Sequence, residues 1–339
     1  MSEGQINFRE YPKVELHRHL EGAVRFSSLI ELRKSLGLEV PAELAQQRAE
    51  YLVLKPMKDL AAVIHAFGST QQIFRSEEII TRITYECIED AANEGIRILE
   101  LRYAPTFMRL GHEHLSFEKI HRAILRGVAM AKDLPIAVGL ICILQRTLPL
   151  KESEKVLDFA LECKNTWVGF DLADDEDSGP ANQFQKLFER VQNAGVPITI
   201  HAGETPSPTS PLNVKDSIKL LGARRIGHGL QIINNLEILN FVRDQKIPLE
   251  ISVTSNWLTN AITSVDAHPI RKLINAGVLV TLNSDDPGIF GIDLPHEYEL
   301  LATRYSFTKA EFDHLNDIAA RASFIPLAEK QKHWPRPIQ

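Results

Sequence analysis

Histidine and acidic residues follow several short apolar segments of this chain, which has 339 residues. In the first such ending, His17 and His19 are separated by one residue, so a β-strand would carry both imidazoles on one face, about 6.6 Å apart. Three later endings carry further polar residues: His201 with Glu204, His228, and Asp285 with Asp286. Imidazole and carboxylate groups are typical ligands of a catalytic zinc ion, which keeps one position open for water. Together, the four endings predict one such site.

The other histidines do not follow predicted strands. A second His-x-His pair, His112 and His114, lies in a polar stretch well past the second apolar segment, and we interpret it as a solvated loop. His268 likewise lies in a helical or loop context. A single His-x-His pair is weak evidence for a metal site, so the prediction rests on the convergence of the four strand endings.

The apolar segments predict the elements that position these side chains. Eight segments rich in Val, Ile and Leu are typical of buried parallel strands. They span residues 14–20, 96–103, 136–144, 167–172, 196–201, 225–229, 248–253 and 278–283. Segments with helical periodicity separate them, and no glycine-rich dinucleotide-binding motif is present. We therefore predict an α/β protein with a (β/α)8 (TIM) barrel, whose functional residues lie at the carboxyl ends of the strands.

One connection is far longer than the others, because residues 21–95 separate the first two predicted strands. We expect a helical insertion that acts as a lid, since long excursions at this end of a barrel usually cover the site. Ser76 is expected to cap a helix that ends at Gly95. No repeat or Ser/Gly linker divides the chain, so residues 1–339 are expected to form one domain.

The composition limits the partners and the compartment. Lys and Arg number 38 against 44 Asp and Glu, and no basic block is present, which argues against nucleic acid and anionic membranes as partners. No apolar run approaches the roughly 18 residues that span a bilayer. Cys87, Cys142 and Cys163 are flanked by apolar residues, which predicts buried, reduced thiols. We therefore expect a cytoplasmic protein, either a monomer or a homo-oligomer.

Five motifs follow one another along nearly the whole chain: PKVELHRHLEGA at 12–23, HAGE at 201–204, RIGHG at 225–229, SN at 255–256 and NSDDP at 283–287. Together they resemble the motifs of the adenosine/AMP deaminase family of zinc aminohydrolases. The resemblance implies a (β/α)8 barrel with one Zn²⁺ ion per chain and a small-molecule aminopurine as substrate. The implied reaction is hydrolytic deamination of adenosine or 2'-deoxyadenosine to inosine or 2'-deoxyinosine and ammonia.

The resemblance also implies roles for individual residues. The implied metal ligands are His17, His19, His201 and Asp285. Glu204 would protonate the purine ring, and His228 would be the base and orienter beside the attacking water. The implied substrate contacts are His19, Glu21, Asp174 and Asp286. Glu204 must hold a proton for its role, and burial against an apolar purine raises the pKa of a carboxyl group.

Two positions depart from the family pattern. Glu21 stands where the family often has Asp, and relatives that act on adenine or on larger adenine-containing compounds frequently carry Glu there. Asp174 stands where adenosine enzymes commonly have Gly, although its backbone N–H can still contact a purine. The alternative substrates are therefore 6-aminodeoxyfutalosine and free adenine. In the acidic stretch 174–177, we expect at least Glu176 and Asp177 to be solvated.

Two functions of other classes remain as alternatives. Another metal-dependent amidohydrolase could use the same barrel, but dinuclear versions usually need a bridging modified lysine at a strand end, and the fourth predicted strand ends in Asp171-Leu172-Ala173. A catalytically silent nucleoside-binding protein would be expected to have lost a ligand or the acid, and all of these positions are filled.

Overall fold

Eight parallel β-strands form the centre of the fold in the computed structural model, which describes residues 6–338. The strands are β1 (Lys13–His19), β2 (Ile96–Tyr103), β3 (Ala137–Gln145), β4 (Gly169–Ala173), β5 (Thr199–Ala202), β6 (Arg225–His228), β7 (Leu249–Ile251) and β8 (Val280–Leu282). Each overlaps one predicted strand, although several are shorter. Strand β7, for example, ends before the predicted Val253 because that residue begins a helix.

The strands form two parallel ladders, β1–β4 and β5–β8, that join at both edges. Between β4 and β5, the N–H of Phe170 donates to the carbonyl of Pro197 over 2.9 Å. Beyond β8, the N–H of Asp285 donates to the carbonyl of His17 over 2.9 Å, and the N–H of His19 donates to the carbonyl of Asp285 over 3.0 Å. The sheet thus closes on itself, and the prediction of a (β/α)8 barrel is confirmed.

Helices connect the strands and follow the last one. They are α1 (Phe26–Ser35), α2 (Leu44–Tyr51), α3 (Leu60–Ala66), α4 (Gly68–Gln71), α5 (Glu77–Asn93), α6 (Pro105–Arg109), α7 (Phe117–Met130), α8 (Leu150–Glu162), α9 (Gln185–Asn193), α10 (Ser210–Lys219), α11 (Leu236–Asp244), α12 (Val253–Leu258), α13 (Ile270–Asn275), α14 (Pro287–Phe290), α15 (Leu294–Tyr305), α16 (Lys309–Ala322) and α17 (Leu327–Gln331). An extensive apolar core joins strands and helices, with Ile80, Ile83 and Cys87 of α5 among its buried residues.

The connection between β1 and β2 contains helices α1 to α5. Helix α5 begins as predicted, since the side chain of Ser76 accepts from the N–H of Ile79 over 3.3 Å. Gly95 follows its end with a φ of +84°, and an added Cβ would lie 2.6 Å from the carbonyl oxygen of Arg9, so only glycine fits this turn. Helix α3 is capped by Asp59 and buries Val63 in a separate small apolar cluster.

The prediction that His112 lies in a solvated loop is wrong. His112 is buried, and its Nε2 atom lies 3.1 Å from the carbonyl oxygen of Gln71. The exposed His114 makes a similar contact, with its Nε2 atom 2.9 Å from the carbonyl oxygen of Arg75. Both carbonyl groups lie at or just after the end of α4. The two histidine contacts therefore connect the loop after β2 to the insertion.

Charged residues fill part of the barrel interior. Arg102 pairs with Asp171 and Glu250, each over 2.8 Å, and Arg225 pairs with Glu250 over 2.6 Å and with Glu100 over 2.5 Å. Burial alone would raise the pKa of Glu250, but the two guanidinium groups hold it well below its ordinary value. These contacts form a continuous polar chain inside the barrel that ends beside the histidines of β1.

The predicted burial of the cysteines is confirmed for Cys87 and Cys142 but is wrong for Cys163, which is only partly buried. All three are unpaired. None of the helices formed by residues 6–338 has the length and apolar character needed to cross a bilayer.

Candidate active site

Four side chains converge at the carboxyl end of the barrel: His17 and His19 at the end of β1, His201 in β5, and Asp285 beyond β8. The Nε2 atoms of His17 and His19 each lie 3.3 Å from Oδ1 of Asp285. The Nε2 atom of His19 also lies 3.2 Å from Nε2 of His201. The structure therefore brings all four predicted metal ligands together.

The donor set fits a divalent metal ion such as zinc. The Nε2 atom of His17 is buried without a hydrogen-bond partner, and it points at the other donors. The remaining ring nitrogens of His17 and His201 are occupied, because Nδ1 of His17 lies 2.7 Å from Glu250 and Nδ1 of His201 lies 2.9 Å from Asp171. A carboxylate at Nδ1 leaves the Nε2 lone pair free for a metal. Imidazole and carboxylate donors without thiolates are typical of a catalytic rather than a structural zinc site.

Asp171 and Glu250, which orient two of these histidines, are absent from the predicted site. Both are completely buried, and Arg102 bridges them. The sequence carries a signal for them, because each is a single acidic residue within an otherwise apolar strand. A buried charge of this kind requires a partner, so such a position indicates either an ion pair or a functional site.

Glu204 and His228 face each other beside the four ligands. Oε2 of Glu204 lies 3.5 Å from Nε2 of His228, and Oε1 of Glu204 accepts from the hydroxyl of Thr259 over 2.9 Å. Burial raises the pKa of Glu204, while the neighbouring His228 opposes this shift. Thr259 was not predicted, since no strand ending or motif marks it.

His228 is held from its other side by Asn256, whose Nδ2 atom lies 3.1 Å from Nδ1 of the imidazole. Asn256 in turn lies 3.1 Å from Nε2 of His268. His268 was not predicted to belong to the site, because it precedes α13 and follows no strand. It contributes through Asn256 rather than through direct contact with the cavity.

A cavity opens between these residues and the insertion. Its apolar wall is formed by Leu60, Val63, Ile64, Phe67, Phe107 and Ile143. Its polar wall is formed by His19, Glu21, Gln145, Asp174, His201, Glu204, His228, Asp285 and Asp286. Helix α3 and the residue that follows it thus supply most of the apolar side, while strand ends supply most of the polar side. Met57 packs against the small apolar cluster that contains Val63.

The predicted substrate contacts also border this cavity. Oε1 of Glu21 accepts from the N–H of Ala104 over 2.7 Å, while its Oε2 atom is buried and unpartnered. Burial raises the pKa of Glu21 to about 8. Oδ1 of Asp286 is likewise buried without a partner. Asp174 has a φ of +88° and accepts hydrogen bonds from Gln145 and Thr147.

The expectation that Glu176 is solvated is wrong, whereas Asp177 is exposed as expected. The carboxylate of Glu176 folds under the end of β5 and accepts from the N–H groups of Gly203, Glu204 and Thr205, each over 2.8 Å. These amides lie beyond the strand and need an acceptor. In the sequence, the acidic residues 174–177 look like an ordinary solvated loop, so the role of Glu176 as an acceptor for these amides was not predicted.

Comparison with known proteins identifies the family of the chain. The adenosine deaminase family model matches residues 12–334. An adenosine deaminase from Yersinia enterocolitica is 33% identical over 322 residues, which cover 94% of this chain and 96% of the relative.

Two solved structures have the same fold over nearly their whole length. An adenine deaminase from Arthrobacter aurescens superposes with a TM-score of 0.86 at 25% identity, covering 94% of this chain and 96% of that one. An Arabidopsis N6-mAMP deaminase has a TM-score of 0.83 at 28% identity, covering 96% and 97%. The chain therefore belongs to the adenosine deaminase family, and it is a purine deaminase that hydrolyses C–N bonds.

Proposed function

We propose that the protein catalyses zinc-dependent hydrolytic deamination of a 6-aminopurine nucleoside, namely adenosine or 2'-deoxyadenosine, with one zinc ion per chain. One observation carries this proposal: the buried carboxyl group of Glu204 and the imidazole of His228 face the same cavity as three of the four predicted metal ligands, His19, His201 and Asp285. Such a group of side chains can bind an aromatic ring, activate a water molecule beside the ring and protonate the ring. The resemblance of the sequence motifs supports the same assignment.

His17, His19, His201 and Asp285 would hold the zinc ion, which when bound supplies activated water at neutral pH. The proton of Glu204 goes to N1 of the purine as the water oxygen bonds to C6. Of the two protons of the water, one goes to the amino group, which leaves C6 as ammonia, and the other restores the carboxyl group of Glu204, so water and adenosine yield inosine and ammonia. The raised pKa of Glu204 supports this role, because the carboxyl group must hold a proton before the oxygen atom adds.

The charges of the cavity favour a nucleoside over its 5'-phosphate. The described residues that line it include no Lys or Arg, but they include the five carboxyl groups of Glu21, Asp174, Glu204, Asp285 and Asp286. A phosphate group in this cavity would meet carboxyl groups with no cation of the protein to compensate. The protein should therefore differ from the Arabidopsis relative in rejecting nucleoside monophosphates.

The unpartnered Oε2 atom of Glu21 supports recognition of a sugar. One oxygen of this carboxyl group is held by the Ala104 N–H, so the other can accept from or donate to a sugar hydroxyl in the cavity. Free adenine would leave this buried atom without a partner, which costs about 1–3 kcal/mol. Adenine and 6-aminodeoxyfutalosine are the alternative substrates. A different reaction of a mononuclear amidohydrolase is a more distant alternative.

A substrate panel tests the proposal. Purified protein with one zinc per chain should release ammonia fastest, by kcat/KM, from adenosine or 2'-deoxyadenosine, more slowly from adenine and 6-aminodeoxyfutalosine, and least from AMP. Asp285→Ala should lose zinc and activity together. A preference for adenine, 6-aminodeoxyfutalosine or AMP would overturn the nucleoside assignment. Two tightly held metal ions per active chain would overturn the mononuclear site, and no release from any aminopurine would overturn the deaminase function.

A further inference from the structure

Three side chains form a hydrogen-bonded row from a backbone amide to the candidate active site. The N–H of Ile270 donates to Nδ1 of His268 over 3.0 Å. Nε2 of His268 lies 3.1 Å from Oδ1 of Asn256, and Nδ2 of Asn256 lies 3.1 Å from Nδ1 of His228. All three side chains are at least nine-tenths buried, so water does not substitute for these contacts.

The backbone amide determines the direction of every bond in the row. A backbone N–H can only donate, so Nδ1 of His268 must be the unprotonated nitrogen. Neutral His268 therefore carries its proton on Nε2, and burial, which lowers the pKa of His268 to about 3, keeps it neutral. The proton on Nε2 requires an acceptor, which must be the Oδ1 atom of Asn256. The amide nitrogen of Asn256 then faces His228 as a donor.

The same reasoning fixes the tautomer of His228. Because Asn256 donates to Nδ1, this nitrogen holds a lone pair, and the proton of neutral His228 is on Nε2. Nε2 is the atom that faces the reaction site, 3.5 Å from Glu204 and 3.8 Å from Asp285.

We propose that His228 acts as a hydrogen-bond donor through Nε2 rather than as a base, and that Asn256 and His268 are positioning residues that fix this tautomer. The inference rests on the proposed deaminase function. A donor at Nε2 orients the attacking oxygen atom toward C6 and stabilises the negative charge that this atom carries once it has lost a proton, and preorganised donors of this kind contribute strongly to catalysis. Under this proposal, His228 does not act as the base that the motif resemblance implies.

Nitrogen NMR of the zinc-loaded protein labelled with ¹⁵N-histidine tests the tautomer without any substrate. Ring-nitrogen shifts of His228, assigned by comparison with His228→Gln, should show a protonated Nε2 and an unprotonated Nδ1. A protonated Nδ1 with an unprotonated Nε2 would overturn the inference. If the wild-type protein deaminates no aminopurine, the proposed function fails, yet this spectrum still decides the tautomer.

Kinetics of two substitutions test the consequence for turnover. Asn256→Asp offers His228 an acceptor instead of a donor, so we expect a proton at Nδ1, a kcat at least about 10-fold lower, and a KM within about 3-fold of wild type at unchanged zinc content. The exposed Asn193→Asp, far from the site, controls for the added charge and should match wild type. A kcat of Asn256→Asp within 2-fold of wild type would overturn the inference, as would a loss that follows zinc loss alone.

A second pair of variants covers the case in which Asn256→Asp does not fold. His268→Gln keeps an acceptor and a donor and should retain most of the activity. His268→Phe removes the donor to Asn256, so the amide can rotate, and kcat should fall at unchanged KM. Equal activity of the two variants would overturn the role of His268 as a positioning residue.

Discussion

The Nδ1 atom of His17 lies 2.7 Å from Oε2 of Glu250, on the opposite side of the imidazole from the unpartnered Nε2 atom. Oε1 of the same carboxylate accepts from Thr199 over 3.0 Å and from Arg225 over 2.6 Å. The carboxylate is therefore held rigidly, and it fixes the direction in which His17 presents its free nitrogen. Metal affinity should depend on Glu250 even though Glu250 is not a ligand.

Glu250→Gln is expected to weaken zinc binding by about 10- to 100-fold, because the amide cannot hold the imidazole as the carboxylate does. The measurement is the zinc dissociation constant from competition with a chelator, taken where circular dichroism shows the variant to be folded. Exposed Glu237→Gln on α11 is the matched control. An unchanged dissociation constant would show that Glu250 serves only the ion pairs inside the barrel.

Glu204→Gln should keep zinc and fold but lower kcat by at least about 100-fold, because an amide donates a hydrogen bond yet delivers no proton. In the wild type, the raised pKa of Glu204 predicts that the proton-bearing form persists above the ordinary pKa of a glutamate and is lost as the pH rises through the raised value. Steady-state kinetics over a pH series measures both effects. A variant within a few-fold of wild type would remove Glu204 from this role.

Glu176→Gln should disturb the segment that carries Glu204. Three N–H groups donate to the two oxygen atoms of the Glu176 carboxylate, whereas a carboxamide offers only one acceptor oxygen. We expect faster hydrogen exchange of the amides of residues 203–205 and a kcat about 10-fold lower, since small misplacements of catalytic groups cost this much or more. The neighbouring exposed Asp177→Asn should leave both quantities unchanged. Unaltered exchange in Glu176→Gln would mean that other contacts fix the segment.

Glu21→Ala should cost adenosine about 1.5–3 kcal/mol in kcat/KM while leaving adenine turnover nearly unchanged, if Glu21 bonds a sugar hydroxyl through its free oxygen. The ratio of kcat/KM for the two substrates, in wild type and variant, isolates this contact from general damage to the site. An equal loss for adenosine and adenine would place Glu21 in the support of the metal site instead.

A bound purine ribonucleoside should protect residues 60–67 from hydrogen exchange, because Leu60, Val63, Ile64 and Phe67 line the cavity. Mass spectrometry of peptides from the insertion measures this protection, and helix α17 at the chain's far end serves as an internal reference. Protection that appears only at the amino end of the barrel would contradict a lid role for α3.

The sequence predicted the barrel and the grouped ligands because both follow local rules: apolar runs form strands, and strand ends meet. His17 and His201 were found in this way. Asp171 and Glu250 were missed because their significance depends on which strands are neighbours. Glu176 was misinterpreted for a related reason, since only the folded loop brings its carboxylate beneath the unpaired amides after β5.

His268 shows a further limit of local reasoning. It acts through Asn256, and a row of three side chains from separate parts of the chain has no spacing that a sequence pattern can reveal. The motif at 255–256 includes Asn256, but the motif gives no indication of what Asn256 does. Hydrogen-bond direction, which decides the tautomer of His228, emerges only from the three-dimensional network.

The division of the barrel into two ladders has a consequence for assembly. His17 and His19 belong to the first ladder, whereas His201 and Asp285 belong to the second or follow it. Neither half can build the proposed metal site alone, so the site forms only after the halves have docked. An ion held by all four residues would act as a cross-link between the halves, and its release should loosen the protein first where β1 meets the chain beyond β8.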